Sequence, residues 1–232
     1  MNDHTPLFDL EDYDLSLPEN SQVNSKIFWL KATDEDWKEN ARVEYKIQAG
    51  DNETFGIFPD GNLYLKMEVD REARDYYSLG ISASDNGEPR RSSTATMTIH
   101  ITDKNDNHPQ FSSRSYKFFI NENEQEHTYV GQIYATDRDI GRNAELTYSS
   151  SEKSQQYFSV DPKTGFIVSR TQLDRELLIS ELGTDSVTFE VVVSDNGIPK
   201  LSDSATVTIT ILDENDNKPK FSKVGITFIY NF

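Results

Sequence analysis

The chain has 232 residues, with 40 Asp and Glu against 23 Lys and Arg and a formal net charge of −17. At about 150 residues per domain this is one large domain or two modest ones. So acidic a chain is excluded as a nucleic-acid binder, because phosphate contacts need clustered Lys and Arg, and as a ligand of anionic membrane surfaces, which attract polybasic segments.

Along the chain the pattern is one of short strands. Ile27 to Thr33, Val43 to Ile47, Phe55 to Phe58 and Leu63 to Leu65 come first, with turn chemistry at Pro59-Asp60-Gly61-Asn62. Leu79, Ile81 and Ala83 alternate with polar neighbours, and Asn86-Gly87 marks a turn. Ala95, Met97, Ile99 and Ile101 then alternate with Thr96, Thr98 and His100, which predicts a half-buried antiparallel strand. Beyond Pro109 the series starts again. Pro162-Lys163-Thr164-Gly165 is a turn, and Phe189, Val191 and Val193 alternate, as do Ala205, Val207, Ile209 and Ile211. No segment shows a sustained helical period. About seven strands per half predict an all-β chain of two tandem, immunoglobulin-like sandwiches.

The two halves are copies. Phe8 to Glu19-Asn20 recurs as Phe111 to Glu122-Asn123, and Ala32-Thr33-Asp34-Glu35-Asp36 as Ala135-Thr136-Asp137-Arg138-Asp139, both offset by 103. Asp70-Arg71-Glu72 recurs as Asp174-Arg175-Glu176, offset by 104. Ser84-Asp85-Asn86-Gly87 and Asp103-Lys104-Asn105-Asp106-Asn107-His108-Pro109 recur at an offset of 110. The second copy therefore carries an insertion of six residues, placed within Leu177 to Ser186.

The repeated carboxylates fall at strand ends and turns. Asp34/Asp36, Asp70/Glu72 and Asp137/Asp139 are each one residue apart, a spacing that aims two side chains the same way along an extended strand. Asp103, Asn105, Asp106 and Asn107 crowd four oxygen-bearing side chains into five residues. Two like charges about 4 Å apart repel by roughly 1 kcal/mol in water and about 4 kcal/mol near a protein surface. A cation is the natural relief, and Ca²⁺ suits it, since it takes 6–8 oxygen ligands. Zn²⁺ fits poorly: the chain has no cysteine and its His4, His100, His108 and His127 show no ligand spacing. Paired carboxylates also serve glycoside hydrolysis, but here every pair recurs in the second copy, and no Ser-His-Asp set or phosphate loop is visible, so the chain reads as no enzyme.

The strand-end Glu, the acidic loop, the Asp-Arg-Glu, the Asp-Asn-Gly and the Asp-x-Asn-Asp-Asn-x-Pro-x-Phe linker, in both copies and in order, make the chain resemble two consecutive internal extracellular repeats of the cadherin family. The parent would be a longer ectodomain of protocadherin, Fat or Dachsous-like or classical-like kind. The resemblance implies Greek-key sandwiches joined by a calcium-binding linker. It divides the chain into 1–8, the end of an upstream linker; 9–107 and 108–217, two repeats; and 218–232, a truncated start of a further repeat or an unrelated tail.

For the central linker the resemblance implies about three Ca²⁺ held by Glu19, Asp70, Glu72, Asp103, Asn105, Asp106, Asp137, Asp139 and Asp195, with the backbone carbonyls of Lys104, Asn107 and Asn143. Those carboxylates carry eight negative charges against six positive charges of the ions. Asn2, Asp3, Asp34, Asp36, Asn40 and Asp85 resemble half of an upstream cluster. Glu122, Asp174, Glu176, Asn215 and Asp216 resemble half of a downstream one. Lys38 departs from the family's glycine in the acidic loop, and His4 replaces the linker's second Asn at a position that works through its backbone. Arg71 and Arg175 are expected to pair with the neighbouring carboxylates. Asn52-Glu53-Thr54 is a sequon for N-glycosylation at Asn52.

The implied function is calcium-dependent homophilic cell–cell adhesion, with other cadherin molecules as partners, or else a spacer or ligand-receptor segment of a giant cadherin. The implied location is the extracellular part of a plasma-membrane protein. No run of about 18 apolar residues is present, and Met1-Asn2-Asp3-His4 lacks the basic and apolar regions of a signal peptide, so the chain would be a fragment making no membrane contact itself.

Overall fold

The computed structural model describes residues 1–219. Expectations for Phe221 and the 222–232 tail lie outside the described residues. The chain forms two compact units. One comprises Met1–His108 together with the loops Asp137–Glu145 and Asn196–Leu201; the other comprises Pro109–Thr136, Leu146–Asp195 and the chain from Ser202.

The first copy runs β1 (Leu7–Phe8), β2 (Asp12–Pro18), β3 (Lys26–Trp29), β4 (Ala32–Thr33), β5 (Glu44–Ala49), β6 (Phe55–Ile57), β7 (Asn62–Leu65), β8 (Tyr76–Ser84) and β9 (Ser92–Thr102). The predicted strand from Ile27 to Thr33 is broken in two at buried Leu30. One sheet has the order β2-β9-β8-β5 and faces a second of order β3-β7-β6. The alternating residues close the space between them: Met97, Ile99, Leu79 and Ile81 are fully buried with Phe55, Leu63 and Leu65. The predicted antiparallel strand is only half so. β9 pairs antiparallel with β8, but parallel with β2 from Asp12↔Thr96 to Pro18↔Thr102. Alternation reports one buried face and is blind to the direction of the partner.

The second copy repeats the plan with β10 (Gln110–Phe111), β11 (Ser115–Asn121), β12 (Tyr129–Gln132), β13 (Ala135–Thr136), β14 (Thr147–Ser150), β15 (Phe158–Val160) and β16 (Phe166–Ser169), then α1 (Arg175–Leu182), β17 (Ser186–Ser194) and β18 (Ser202–Leu212). Its sheets are β11-β18-β17-β14 and β12-β16-β15. Val191, Val193, Val207 and Ile209 fill its core with Phe158 and Ile167.

Helix α1 is the one α-helix among the described residues of this all-β fold. The Asp174 side chain caps it by accepting from the Leu177 N–H at 2.8 Å, and Gly183, at φ 72°, ends it. Only Leu178 is buried, which explains the missing periodicity. This is where the six inserted residues went: the first copy has only a tight turn there, closed by Arg74 N–H to Asp70 carbonyl at 2.9 Å. No helix among the described residues is long and apolar enough to cross a membrane.

One tyrosine in each copy holds a short strand, β4 or β13, to the core. Tyr45 accepts from the Ala32 N–H at 2.6 Å, and Tyr148 from the Ala135 N–H at 3.0 Å. The rings of Phe8 and Tyr45, and of Phe111 and Tyr148, meet at 6.0 and 6.2 Å.

Candidate metal centre

The first unit builds its acidic centre on Glu19. This residue follows β2 and is only 1 % exposed. Its Oε1 accepts from the Lys104 N–H at 2.7 Å and its Oε2 from the Arg71 N–H at 2.8 Å. One buried carboxylate thus ties the Asp-Arg-Glu turn to the linker, and two backbone donors offset its burial. Glu122 does the same in the second unit, with Glu214 at 2.7 Å and Arg175 at 2.8 Å.

The carboxylates spaced by one residue do not lie side by side on strands. Asp70 Oδ1 accepts from the Glu72 N–H at 2.9 Å, Asp34 Oδ1 from Asp36 at 2.9 Å and Asp137 Oδ1 from Asp139 at 3.0 Å. Each pair is a side-chain-closed turn. The first residue shapes the loop and the second is aimed into the acidic group.

Two groups of oxygens result. Glu19, Glu72 and Asp103 present ligand atoms within 4.8 Å of one another, and so do Glu72, Asp106 and Asp139. Burial, then the charge of Glu19, pushes the Glu72 carboxyl up to about 7. Burial likewise raises Asp139. Arg71 answers some of this charge, as expected: its Nε donates to Asp103 Oδ1 at 2.5 Å and its Nη2 to Glu72 and to the Arg138 carbonyl. Arg175 pairs with Asp213 at 3.1 Å.

Neighbouring amides hold the carboxylates in place. Asn107 Nδ2 bridges Asp106 at 2.9 Å and Asp139 at 2.8 Å. Asn143 Nδ2 donates to Asp103 at 2.8 Å, and Asn20 Nδ2 to Asp106 at 2.5 Å. Asn107 and Asn143, expected to act through their carbonyls, engage these carboxylates through their side-chain amides. The Lys104 carbonyl accepts from the Asp106 N–H at 3.0 Å, and Asn105 Nδ2 donates to the Pro199 carbonyl at 2.5 Å. Asp195 is fully buried in the second unit.

What this network leaves over is informative. Asp137 Oδ2 and Asp139 Oδ2 are buried without a hydrogen-bond partner, and so is Asp34 Oδ2. An unpaired anionic oxygen out of water is costly. Hard oxygen donors, an excess of negative charge and no thiolate are the donor set of a calcium-type cation, so the residues present fit one.

Side chains also gather at the two outer ends of the pair. Asn2 is buried and its Nδ2 donates to Asp85 at 3.0 Å and to the Pro89 carbonyl at 2.6 Å. Asp3, His4 and Asp36 converge. The His4 backbone N–H donates to Asp36 at 3.1 Å, and its ring also lies 3.3 Å from Asp36. That ring is raised in pKa chiefly by its bond to Asp36. Asn40 lies on the short 3₁₀ turn Lys38–Ala41. Lys38 itself is exposed. At the other end Glu122, Glu176 and Asp213 converge. Asn123 Nδ2 donates to Asp216 at 2.7 Å and Asn217 Nδ2 to Glu176 at 3.0 Å. Asn215 follows in the same linker, while Asp174 is engaged as the helix cap. Asp213, Asn20 and Asn123 are absent from the ligand set expected from the sequence. Their signal was present: Asp213 is the copy of Asp103, and each Asn follows the strand-end Glu.

The fold and the repeated centre are matched by known proteins. The family model for the cadherin domain matches residues 13–102 and again 116–212. The chain belongs to the cadherin family. It is 41 % identical over 225 residues to human Protocadherin Fat 4, covering 96 % of this chain and 4 % of that protein. Mouse cadherin-23 EC22-24 superposes with a TM-score of 0.80 at 31 % identity, over 92 % of this chain and 66 % of that one. The protocadherin gammaB7 EC3-6 cis-dimer superposes with a TM-score of 0.82 at 27 % identity, over 91 % and 52 %. The pair of repeats thus spans a small fraction of the curated relative it matches. Cadherin repeats are adhesion modules and not catalysts, and as a class they bind Ca²⁺ at their linkers.

Proposed function

We propose that these two cadherin repeats, 9–107 and 108–217, are an extracellular segment of a plasma-membrane ectodomain whose central linker is stiffened by about three Ca²⁺. The observation that carries this reading is the set of buried, unpartnered oxygens on Asp137 and Asp139 beside Glu72 and Asp106. Glu19, Asp70, Glu72, Asp103, Asn105, Asp106, Asp137, Asp139 and Asp195 would hold the ions, with the carbonyls of Lys104, Asn107 and Asn143. Bound Ca²⁺ supplies the positive charge that this oxygen set lacks. Arg71 and the amides of Asn107 and Asn143 keep the carboxylates apart and oriented, so the linker meets a cation with its ligands already placed. Asn2, Asp3, Asp34, Asp36, Asn40 and Asp85, and Glu122, Asp174, Glu176, Asn215 and Asp216, would complete further sites with neighbouring repeats.

In that setting the segment serves calcium-dependent adhesion between cadherin molecules, homophilic contact included. Small-angle scattering with Ca²⁺ and with EDTA tests it: removal should increase interdomain flexibility, and an unchanged profile would overturn the reading. A spacer role is favoured by the match to 4 % of a very long relative. Sedimentation decides between the two, since an adhesive segment dimerises and a spacer stays monomeric with and without Ca²⁺.

A further inference from the structure

Within the acidic centre the one guanidinium is set deep. The Arg71 side chain is 12 % exposed and pairs with Asp103 and Glu72, which are themselves little exposed. We propose that Arg71 is a built-in rival of the cation: its guanidinium and Ca²⁺ compete for the same oxygens of Asp103 and Glu72, and ion binding displaces it. The proposal rests on the calcium reading above and adds what sets the affinity of that site.

The rivalry follows from which atoms are taken. Asp103 Oδ1 accepts from Arg71 Nε at 2.5 Å, while its Oδ2 accepts from the Ile140 N–H at 3.2 Å and from Asn143 Nδ2 at 2.8 Å. Both oxygens of Asp103 are thus engaged. Glu72 Oε1 accepts from Arg71 Nη2. These two acids and Glu19 are the group whose ligand atoms lie within 4.8 Å of one another, so the guanidinium sits against two of its three members. Arg suits this place, because its fork stays charged and reaches two acids at once. Nη2 also donates to the Arg138 carbonyl at 2.8 Å. Like charges so little exposed are weakly screened by water and salt, and a divalent cation meets Arg71 as a repulsive neighbour.

The second copy has the same pairing in a looser form. Arg175 Nη1 lies 3.1 Å from Asp213 and 3.9 Å from Glu176, and its side chain is 27 % exposed. The pairing therefore belongs to the repeat, and its tight form to the central linker.

Two effects of removing the Arg71 charge add. In EDTA, Glu19, Glu72 and Asp103 lose their nearby cation and repel one another more. With Ca²⁺ bound, a like charge beside the ion is gone. Both changes raise the affinity for Ca²⁺, whereas loss of a side chain that only positioned the ligands would lower it.

The test is calorimetric titration of Ca²⁺ into the full chain, Arg71→Gln and Arg71→Lys. Arg71→Gln should bind about tenfold tighter and melt at a lower temperature in EDTA. Arg71→Lys keeps the charge and should stay within about threefold of the unaltered chain. In the unaltered chain the Arg71 Nε–H resonance should exchange slowly with solvent in EDTA, then shift and exchange faster once Ca²⁺ is added. Equal or weaker binding by Arg71→Gln, equal tightening in both variants, or an Nε–H signal that Ca²⁺ leaves in place would overturn the proposal and leave the calcium reading standing. An unaltered chain that binds no Ca²⁺ would instead overturn that reading, and this proposal with it.

Discussion

Asp139 accepts a 2.8 Å hydrogen bond from Asn107 through Oδ1 while its Oδ2 is buried without a partner. Its burial already favours the neutral acid. Asp139→Asn keeps an acceptor for Asn107 and removes the charge. It should weaken Ca²⁺ binding by about tenfold or more, while leaving the calcium-free chain as stable as before or slightly more so. Calorimetric titration and denaturant melts of the same sample check both halves. Unchanged affinity would remove Asp139 from the ligand set.

Addition of Ca²⁺ should raise the unfolding midpoint of the chain, because an ion bound only by the folded state stabilises it by about 2.7 kcal/mol at a hundredfold excess over Kd. Scanning calorimetry in Ca²⁺ and in EDTA reads this directly. Coincident melting curves would mean that the acidic centre holds no calcium.

Asp203 fastens the start of the second repeat, accepting from the Phe111 N–H at 3.0 Å, the Ser204 N–H at 2.9 Å and the Arg114 guanidinium. Burial raises its pKa, but these donors together hold it below the usual value. Asp203→Ala should cost about 1–3 kcal/mol. Because the folded-state pKa is the lower one, the stabilisation is complete above the unfolded value of about 3.9 and is lost as pH falls through the folded value. Urea melts between neutral and acidic pH should show the wild-type advantage over the variant shrinking over that range.

Lys38 adopts φ 59° in the loop where the second copy has Gly141 at φ 58°. A side chain there costs roughly 1 kcal/mol, and the exposed ammonium makes no compensating buried contact. Lys38→Gly should stabilise the first repeat by about 0.5 kcal/mol once the extra freedom of the unfolded glycine is deducted. A lowered melting temperature would count against this account.

The strands were legible in the sequence because alternation depends on a spacing of two residues, whereas the acidic centre gathers residues as far apart as Glu19 and Asp103 and was expected only through the family resemblance. Alternation placed Met97 and Ile99 in the core, and the resemblance to cadherin repeats implied that Asp103 and Asp106 would meet Glu72, whose ligand atoms lie with theirs in two groups. What escaped has a physical reason in each case. Helix α1 is shorter than the 10–12 residues over which a helical period becomes readable, and it packs through Leu178 alone. The Asp–x–Asp spacing describes a strand or a turn equally well, and a hydrogen bond from the second N–H to the first side chain decided for the turn. His4 was read by position, whereas its ring finds Asp36 across 32 residues of sequence.

The parallel pairing of β2 with β9, and of β11 with β18, each over seven residues, has a mechanical consequence. The chain enters a repeat at one end of the sheet and leaves it at the other. Tension applied at Asp12 and Thr102 therefore runs along the two strands in opposite senses and loads their hydrogen bonds in shear, as a group. A hairpin pulled from its open end would instead lose its bonds singly, in sequence. Each repeat is joined to its own exit strand like a lap joint, the geometry in which a polypeptide best resists being pulled apart.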